Sequence, residues 1–177
     1  WKNLPNTVGP IGICRLVNNI GEAESKGIEI ELAYLLNESL KMDIGVAYNE
    51  AEVTKATEES GFIIGGRLPY APYITAGFGL EYGFNFGEYP AFVRADVNYY
   101  GEAESTQNYD LGMLGDYINT GLRFGVSVEQ WDLAFYGSNL LNDDGVLAID
   151  AGDSGNPTVV AAIQRPRKLG FEVKYNF

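Results

Sequence analysis

Period-two alternation runs along almost the whole of this chain. In an extended strand successive side chains point to opposite faces, so such alternation describes a sheet with one apolar and one polar face. Ile28, Ile30, Leu32 and Tyr34 oppose Glu29, Glu31 and Ala33, and then Leu40, Met42, Ile44, Val46 and Tyr48 oppose Lys41, Asp43, Gly45, Ala47 and Asn49. Ala76, Phe78, Leu80, Tyr82 and Phe84 oppose Thr75, Gly77, Gly79, Glu81 and Gly83, while Val93, Ala95, Val97 and Tyr99 oppose Arg94, Asp96, Asn98 and Tyr100. The pattern returns with Leu122, Phe124, Val126 and Val128 against Gly121, Arg123, Gly125 and Ser127, with Trp131, Leu133 and Phe135 against Asp132, Ala134 and Tyr136, and with Phe171, Val173, Tyr175 and Phe177 against Glu172, Lys174 and Asn176. A weaker stretch from Ile11 to Asn18 is a candidate eighth strand. No segment keeps a helical period, so the expected fold is all-β and antiparallel, with about seven or eight strands.

The connections alternate too. Leu36 to Leu40, Phe86 to Pro90 and Val128 to Trp131 are tight, whereas Val53 to Tyr73, Gly101 to Tyr117 and Leu141 to Arg167 are long and polar. Short turns on one rim and long loops on the other are the habit of outer-membrane barrels. A soluble sandwich also alternates within its strands, with its apolar face as core, but it does not segregate its loops in this way. No run reaches the roughly 18 consecutive apolar residues of a spanning helix, so any crossing of a membrane is made by strands. The mean hydropathy of −0.10 agrees, since half of each strand would face a wet interior.

Aromatic residues gather at the strand ends, as the two interfaces of a membrane require. Tyr48, Tyr73, Tyr99 and Tyr117 are expected in an outer girdle, and Phe84, Phe86, Trp131, Tyr175 and Phe177 in an inner one. Glu29, Glu31, Glu81, Arg94, Asp96 and Arg123 are expected to face the lumen. The closing row Phe171, Val173, Tyr175 and Phe177 resembles the C-terminal signal by which outer-membrane barrels are recognised for insertion.

Charge narrows the partners. The net charge is −12 and the twelve basic residues are scattered, which argues against nucleic acid. Cys14 is the single cysteine, so no intrachain disulfide exists to indicate a compartment. The opening Trp1-Lys2-Asn3-Leu4-Pro5 has neither the basic nor the apolar region of a signal peptide and reads as the interior of a longer chain.

Several phrases carry a family resemblance. Asn18-Asn19-Ile20-Gly21-Glu22-Ala23-Glu24-Ser25-Lys26-Gly27-Ile28-Glu29 resembles the phrase with which TonB-dependent outer-membrane receptors enter a late barrel strand. Gly66-Arg67-Leu68-Pro69-Tyr70-Ala71-Pro72 is similar to another strand entry of that family, and Val93-Arg94-Ala95-Asp96-Val97-Asn98-Tyr99 resembles one of its strands. Gly137-Ser138-Asn139-Leu140-Leu141-Asn142-Asp143 and Arg165-Pro166-Arg167-Lys168-Leu169-Gly170 resemble its turn motif and the start of its last strand. The resemblance implies that residues 1–177 are the C-terminal third of a 22-stranded barrel in the cell outer membrane, without the plug domain. It also implies partners: outer-membrane lipid, the barrel-assembly machinery, the TonB complex through the missing plug, and a small-molecule ligand such as a ferric siderophore, cobalamin or a saccharide. The three long loops are the expected ligand contacts, although no ligand-contacting residue is identifiable by motif.

The same phrases have physical readings. Pro69 and Pro72 lack a ladder donor and belong before a strand. Asn139, Asn142 and Asp143 can close turns through bonds to their own backbone. Arg165 and Arg167 are expected to pair with Asp143, Asp144, Asp150 or Asp153.

No catalytic, cofactor or metal site is expected. Gly152-Asp153-Ser154-Gly155 spells part of a serine-nucleophile phrase, but the chain has no His to serve as base. Asp143, Asp144, Asp150 and Asp153 lack the spacing of a Ca²⁺ loop and read as an acidic loop. The rival to the receptor reading is a complete eight-stranded barrel with a structural or adhesion role, in which the Ile11 to Asn18 strand closes on the terminal one.

Overall fold

The computed structural model describes residues 5–8, 16–19, 21–60, 62–105, 113–150 and 159–177. Along the chain lie β1 (Pro5–Val8), β2 (Leu16–Asn19), β3 (Gly21–Asn37), β4 (Leu40–Ala56), β5 (Ile74–Phe86), β6 (Tyr89–Tyr100), β7 (Ala103–Glu104) and β8 (Met113–Leu114). Next come β9 (Tyr117–Val128), β10 (Trp131–Ser138), β11 (Val146–Asp150), β12 (Val160–Ile163) and β13 (Lys168–Tyr175). One 3-10 turn, Glu58–Ser60, interrupts the strands.

Seven of these strands form a single antiparallel sheet in the order β13-β10-β9-β6-β5-β4-β3. All its connections are hairpin-like, and those on one rim have only two residues: 38–39, 87–88 and 129–130. Gly87 and Glu129 adopt left-handed backbone there, at φ 66° and 54°. The other rim carries the long connections 57–73, 101–116 and 139–167, the last two containing the β7–β8 and β11–β12 pairs. The expected segregation of short turns from long loops is therefore present.

The eighth strand is not. Leu16–Asn19 pairs with Pro5–Val8 in a separate two-stranded sheet and does not join the seven; Ile11 to Arg15 lie outside the described residues. Among the described residues β3 and β13 each have one neighbour in this sheet, so the seven strands form an open wall.

Register carries the apolar positions across the sheet in continuous rows. Leu32 faces Ile44, Ile44 faces Phe78, Phe78 faces Val97, and Val97 faces Thr120. Nearer the short-turn rim, Val93 faces Phe124, Phe124 faces Phe135 and Phe135 faces Phe171. This face is uncovered: Ile28 is 70% exposed, Ile30 64% and Phe171 64%. The buried apolar residues among those described are small, chiefly Ala, with Val53 and Leu114 the exceptions. A soluble domain of this size would bury its Ile, Leu and Phe. A sheet that instead presents them as one broad band is built for a hydrocarbon solvent, since such a patch far exceeds what a soluble monomer tolerates.

Five of the seven strands have at least the length for that solvent, and β10 and β13, with 8 residues each, fall just short of it. About 9–11 tilted residues cross a bilayer core, and β5, β6 and β9 contain 13, 12 and 12. β3 and β4 contain 17 each and run past Tyr48 into a polar extension. There Lys26 pairs with Glu24 and Lys55 with Glu22, each at 2.9 Å. Alternation of hydropathy is absent from Gly21 to Gly27, which is why the sequence pattern begins only at Ile28. The chain turns back over this extension: Val53 N–H donates to Gly66 O at 2.9 Å and Leu68 N–H to Ala51 O at 2.8 Å. Val53, 1% exposed, is sealed by that return.

A charge on the apolar face should be costly and one on the opposite face should not. Val97→Arg in the full-length protein is expected to lose about 2–4 kcal/mol of stability in lipid vesicles, measured by guanidinium titration, with Asn98→Arg close to neutral. Equal effects from the two neighbours would contradict the assignment of faces.

Candidate functional site on the polar wall and long-loop rim

The polar face is organised around Arg94. Opposite-face parity places Arg94, Asp96, Glu81 and Asp43 together, because β6 lies beside β5 and β5 beside β4. Arg94 Nη1 sits 2.8 Å from Asp43 Oδ2 and 3.8 Å from Glu81, and Nη2 sits 2.8 Å from Asp96 Oδ1. One guanidinium thus holds three carboxylates, with its fork matched to two of them. Gly79 makes this possible, because a Cβ there would collide with the guanidinium. Arg123, beside Arg94 in register, pairs across the sheet with Glu172 at 3.2 Å. Glu29 and Glu31 share this face with no ion pair among the described residues, leaving the wall acidic. Glu29, Glu31, Glu81, Arg94, Asp96 and Arg123 share one face of the sheet with Asp43.

Between the charges the wall is tightened by rings laid over glycines. Phe92 lies over Gly125 and Tyr136 over Gly170, where any Cβ would enter the ring. These are cross-strand neighbours, Phe92 with Gly125 and Tyr136 with Gly170. Each ring covers backbone that a larger residue would hold apart.

The aromatic ends separate into two faces. Tyr48 and Tyr99 lie on the apolar face, and Tyr73 stacks on Tyr48 with ring centroids 6.4 Å apart. At the other rim Phe84 and Phe86 each approach Phe124, at 6.3 and 6.4 Å, and Trp131, Tyr175 and Phe177 form a chain of ring contacts at 4.7 and 5.0 Å. The strand itself ends at Tyr175, one pair before the terminal ring. Tyr117 departs from its expected place. It faces Tyr100 in register, and their rings stack at 4.7 Å on the polar face. The reason is parity: Ile118 continues the apolar row of Leu122, so Tyr117 must point the other way.

The three long loops meet above this Tyr100–Tyr117 stack. Tyr70 ties them together, its N–H donating to Glu104 O at 2.8 Å and its hydroxyl to Ile149 O at 3.0 Å. A cavity of about 310 Å³ opens beneath, lined by Tyr70, Tyr100, Tyr117, Leu114, Val146 and Leu147 among others. A second of about 370 Å³ continues toward β13 past Tyr117, Gln164, Arg165 and Lys168. Lower on the wall, a concavity of about 530 Å³ lies at Arg94, Asp43 and Asp96.

Two local devices fix the loops. Asn139, 3% exposed with φ 48°, donates through Nδ2 to the carbonyls of Asp143 and Arg165, both at 2.8 Å, and accepts from Asp143 N–H at 3.0 Å. Asn142 Oδ1 accepts from Arg167 N–H at 3.0 Å. Asn139 and Asp143 thus close the local turn as expected, whereas Asn142 and the second Asn139 bond tie that turn to the start of β13, 25 and 26 residues on. The second device, Arg67, was not legible as a structural centre: its Nη2 donates to Ala71 O at 2.6 Å, and its guanidinium carbon lies 3.2 Å from the centre of the Tyr73 ring. An Arg followed by Leu-Pro-Tyr gave no periodic signal to mark it.

The expected pairing of Arg165 and Arg167 with Asp143 or Asp144 is not seen, and the Asp150 side chain lies outside what the structure describes. Asp143 accepts instead from Gly145 N–H at 2.9 Å and Ile118 N–H at 3.4 Å, so its oxygens serve the turn. Among the described residues neither Arg pairs with Asp143 or Asp144; Asp153 and Ser154 lie outside them. No group of three or more potential metal ligands occurs among the described residues.

An antiparallel wall with one hydrocarbon-facing side, one charged side and loops gathered on a single rim defines an outer-membrane β-barrel protein. The family model for the TonB-dependent receptor-like β-barrel matches residues 2–140, and the chain belongs to that family, whose members reside in the cell outer membrane. No curated protein matches it. Among solved structures it is similar to the ferric yersiniabactin uptake receptor from Yersinia pestis, with TM-score 0.78 and 21% identity over 92% of this chain. It is also similar to the ferric preacinetobactin receptor from Acinetobacter baumannii, with TM-score 0.67 and 18% identity over 99%. The ferric-catecholate import receptor of E. coli gives TM-score 0.67 and 17% identity over 97%. The chain spans about a quarter of the length of each of the first two, 25% in both cases, and 23% of the third.

Arg94 offers a direct test of the wall. Arg94→Met leaves Asp43, Glu81 and Asp96 facing one another and is expected to destabilise the full-length protein by about 1–3 kcal/mol. Adding Asp96→Asn should recover part of that loss. Unchanged denaturation midpoints for both variants would show that the cluster contributes nothing.

Proposed function

We propose that residues 1–177 form the C-terminal part of the barrel of a TonB-dependent receptor, and that the whole receptor takes up a scarce ligand of the ferric-siderophore kind. The observation that carries this reading is the convergence of all three long loops, tied by Tyr70, over a cavity on the lumen side of an open wall. Such a wall needs further strands to close it, because β3 has no second neighbouring strand in this sheet among the described residues, and lipid cannot satisfy a bare strand edge. A 22-stranded barrel supplies those strands. Ferric-siderophore uptake is preferred over cobalamin or saccharide uptake because the similar solved structures are receptors or importers of ferric ligands.

In this mechanism the chain does no covalent chemistry. Its apolar face holds the barrel in lipid, with Tyr48, Tyr73 and Tyr99 at one interface and Phe84, Phe86, Trp131, Tyr175 and Phe177 at the other. Its acidic wall faces a plug domain, and the loops hold ligand until the TonB complex acts on that plug. The row Phe171, Val173, Tyr175 and Phe177 presents the last strand to the barrel-assembly machinery.

Uptake of ⁵⁵Fe-loaded siderophores by cells expressing the full-length receptor tests the proposal. Uptake is expected to require both this gene and TonB, and removal of loop residues 139–167 should abolish it while the barrel still reaches the membrane. Uptake that persists without TonB would refute the reading. Phe177→Ser is expected to lower the amount of assembled receptor several-fold, measured by heat-modifiability on gels; wild-type levels would remove the insertion role.

A further inference from the structure

Tyr70 is the one aromatic residue among those described with a left-handed backbone, at φ 61°. A bulky side chain rarely adopts that conformation, and glycine would take it at no steric cost. Strain of this kind persists only where surrounding contacts hold it, and it gathers at ligand clamps and switch segments. The holding contacts lie on both sides of the residue. Leu68 N–H donates to Ala51 O on β4, Arg67 Nη2 reaches past Tyr70 to Ala71 O, and Asn49 N–H donates to Tyr73 O. The base of the loop 57–73 is thereby fixed to the wall.

The polar groups of Tyr70 itself reach other loops. Its N–H donates to Glu104 O on β7 and its hydroxyl to Ile149 O on β11, at 2.8 and 3.0 Å. β7 pairs with β8, placing Ala103 opposite Leu114, and β11 packs against β8. Leu114, Val146 and Leu147 line the cavity of about 310 Å³ together with Tyr70, and Leu114 is only 4% exposed. The hydroxyl bond stands in water, since Tyr70 is 49% exposed, so a water molecule can replace either partner at little cost. Two hydrogen bonds from one strained residue thus join a fixed segment to two segments that cover a cavity.

We infer that Tyr70 is a latch: it holds β8 and β11 over the cavity, and loss of its hydroxyl bond frees them while residues 66–68 stay on β4. Release exposes Leu114 to water and opens the space beneath. Closure restores the left-handed backbone of Tyr70, its cost offset by the two hydrogen bonds and by the burial of Leu114, so the two arrangements lie close in energy. The inference rests on the receptor reading for its purpose, which is timed access of the imported ligand to the space under the loops.

The test is cysteine protection in the full-length receptor in lipid nanodiscs, with Cys14→Ser as background and a water-soluble maleimide as probe. Leu114→Cys reports opening at the latch, and Val53→Cys, at a position 1% exposed beneath the fixed base, reports loosening of that base. With Tyr70 intact, Leu114→Cys is expected to react at least about tenfold faster than Val53→Cys. Adding Tyr70→Phe should speed Leu114→Cys about fivefold, the worth of one hydrogen bond, and leave Val53→Cys unchanged. Equal rates at the two cysteines overturn the inference, and that comparison needs no substitution of Tyr70. No acceleration by Tyr70→Phe overturns it as well, as does equal acceleration at both sites, because the rim would then loosen as a whole. Labelling requires no transport. The expected pattern in a receptor that imports nothing upholds the latch and defeats the receptor reading, whereas unchanged Leu114→Cys labelling alongside intact TonB-dependent uptake defeats the latch alone.

Discussion

Hydrogen bonding of the backbone is the constraint from which the rest follows. In hydrocarbon no water is available to a free N–H or C=O, so each strand must be paired along its full membrane depth. Between neighbours the seven strands meet this demand through long antiparallel ladders, the β3–β4 pair holding register from Gly21 to Asn37 apart from two shifts, while β3 and β13 each have one neighbour in this sheet. Once the ladder is fixed, parity assigns every side chain to lipid or to the interior. A slip of one residue would place Glu81, Arg94 and Asp96 in lipid together, so register is held by the solvent as well as by the turns.

The two faces then solve different problems. The outward face needs no tight packing against protein, and it varies freely among Ile, Leu, Val, Phe and Tyr. The inward face is where specific geometry accumulates: one arginine gathering three carboxylates, rings laid over Gly125 and Gly170, and a tyrosine stack at the rim. Function concentrates there because only that side, and the loops above it, meets anything other than lipid. The long loops gain order from few contacts, chiefly Tyr70, Arg67 and the Asn139 turn.

Much of this was legible in the sequence, for a physical reason. Membrane strands expose their apolar face to a uniform solvent, so period-two alternation from Leu40 to Tyr48 or Ala76 to Phe84 survives without the irregularities of a packed core. The strand from Gly21 to Gly27 was not legible, because outside the membrane both faces are polar and the ladder leaves no hydropathy signal. Tyr117 was assigned by its type and its place at a strand end, while parity with Ile118 decided otherwise. The acidic loop and Arg165 were expected to pair by charge, yet Asp143 found closer backbone donors within its own turn.

The central claim is that alternate residues of one strand face lipid. Single nitroxide labels at each position of Ile74–Phe86, in the full-length receptor with Cys14→Ser and in lipid vesicles, would measure this by their collision rates with oxygen and with a water-soluble nickel complex. Ala76, Phe78, Leu80 and Tyr82 are predicted to show high oxygen and low nickel accessibility, with Gly77, Gly79 and Glu81 low for oxygen. A profile without a period of two, or one in which the even positions meet nickel, would contradict the account.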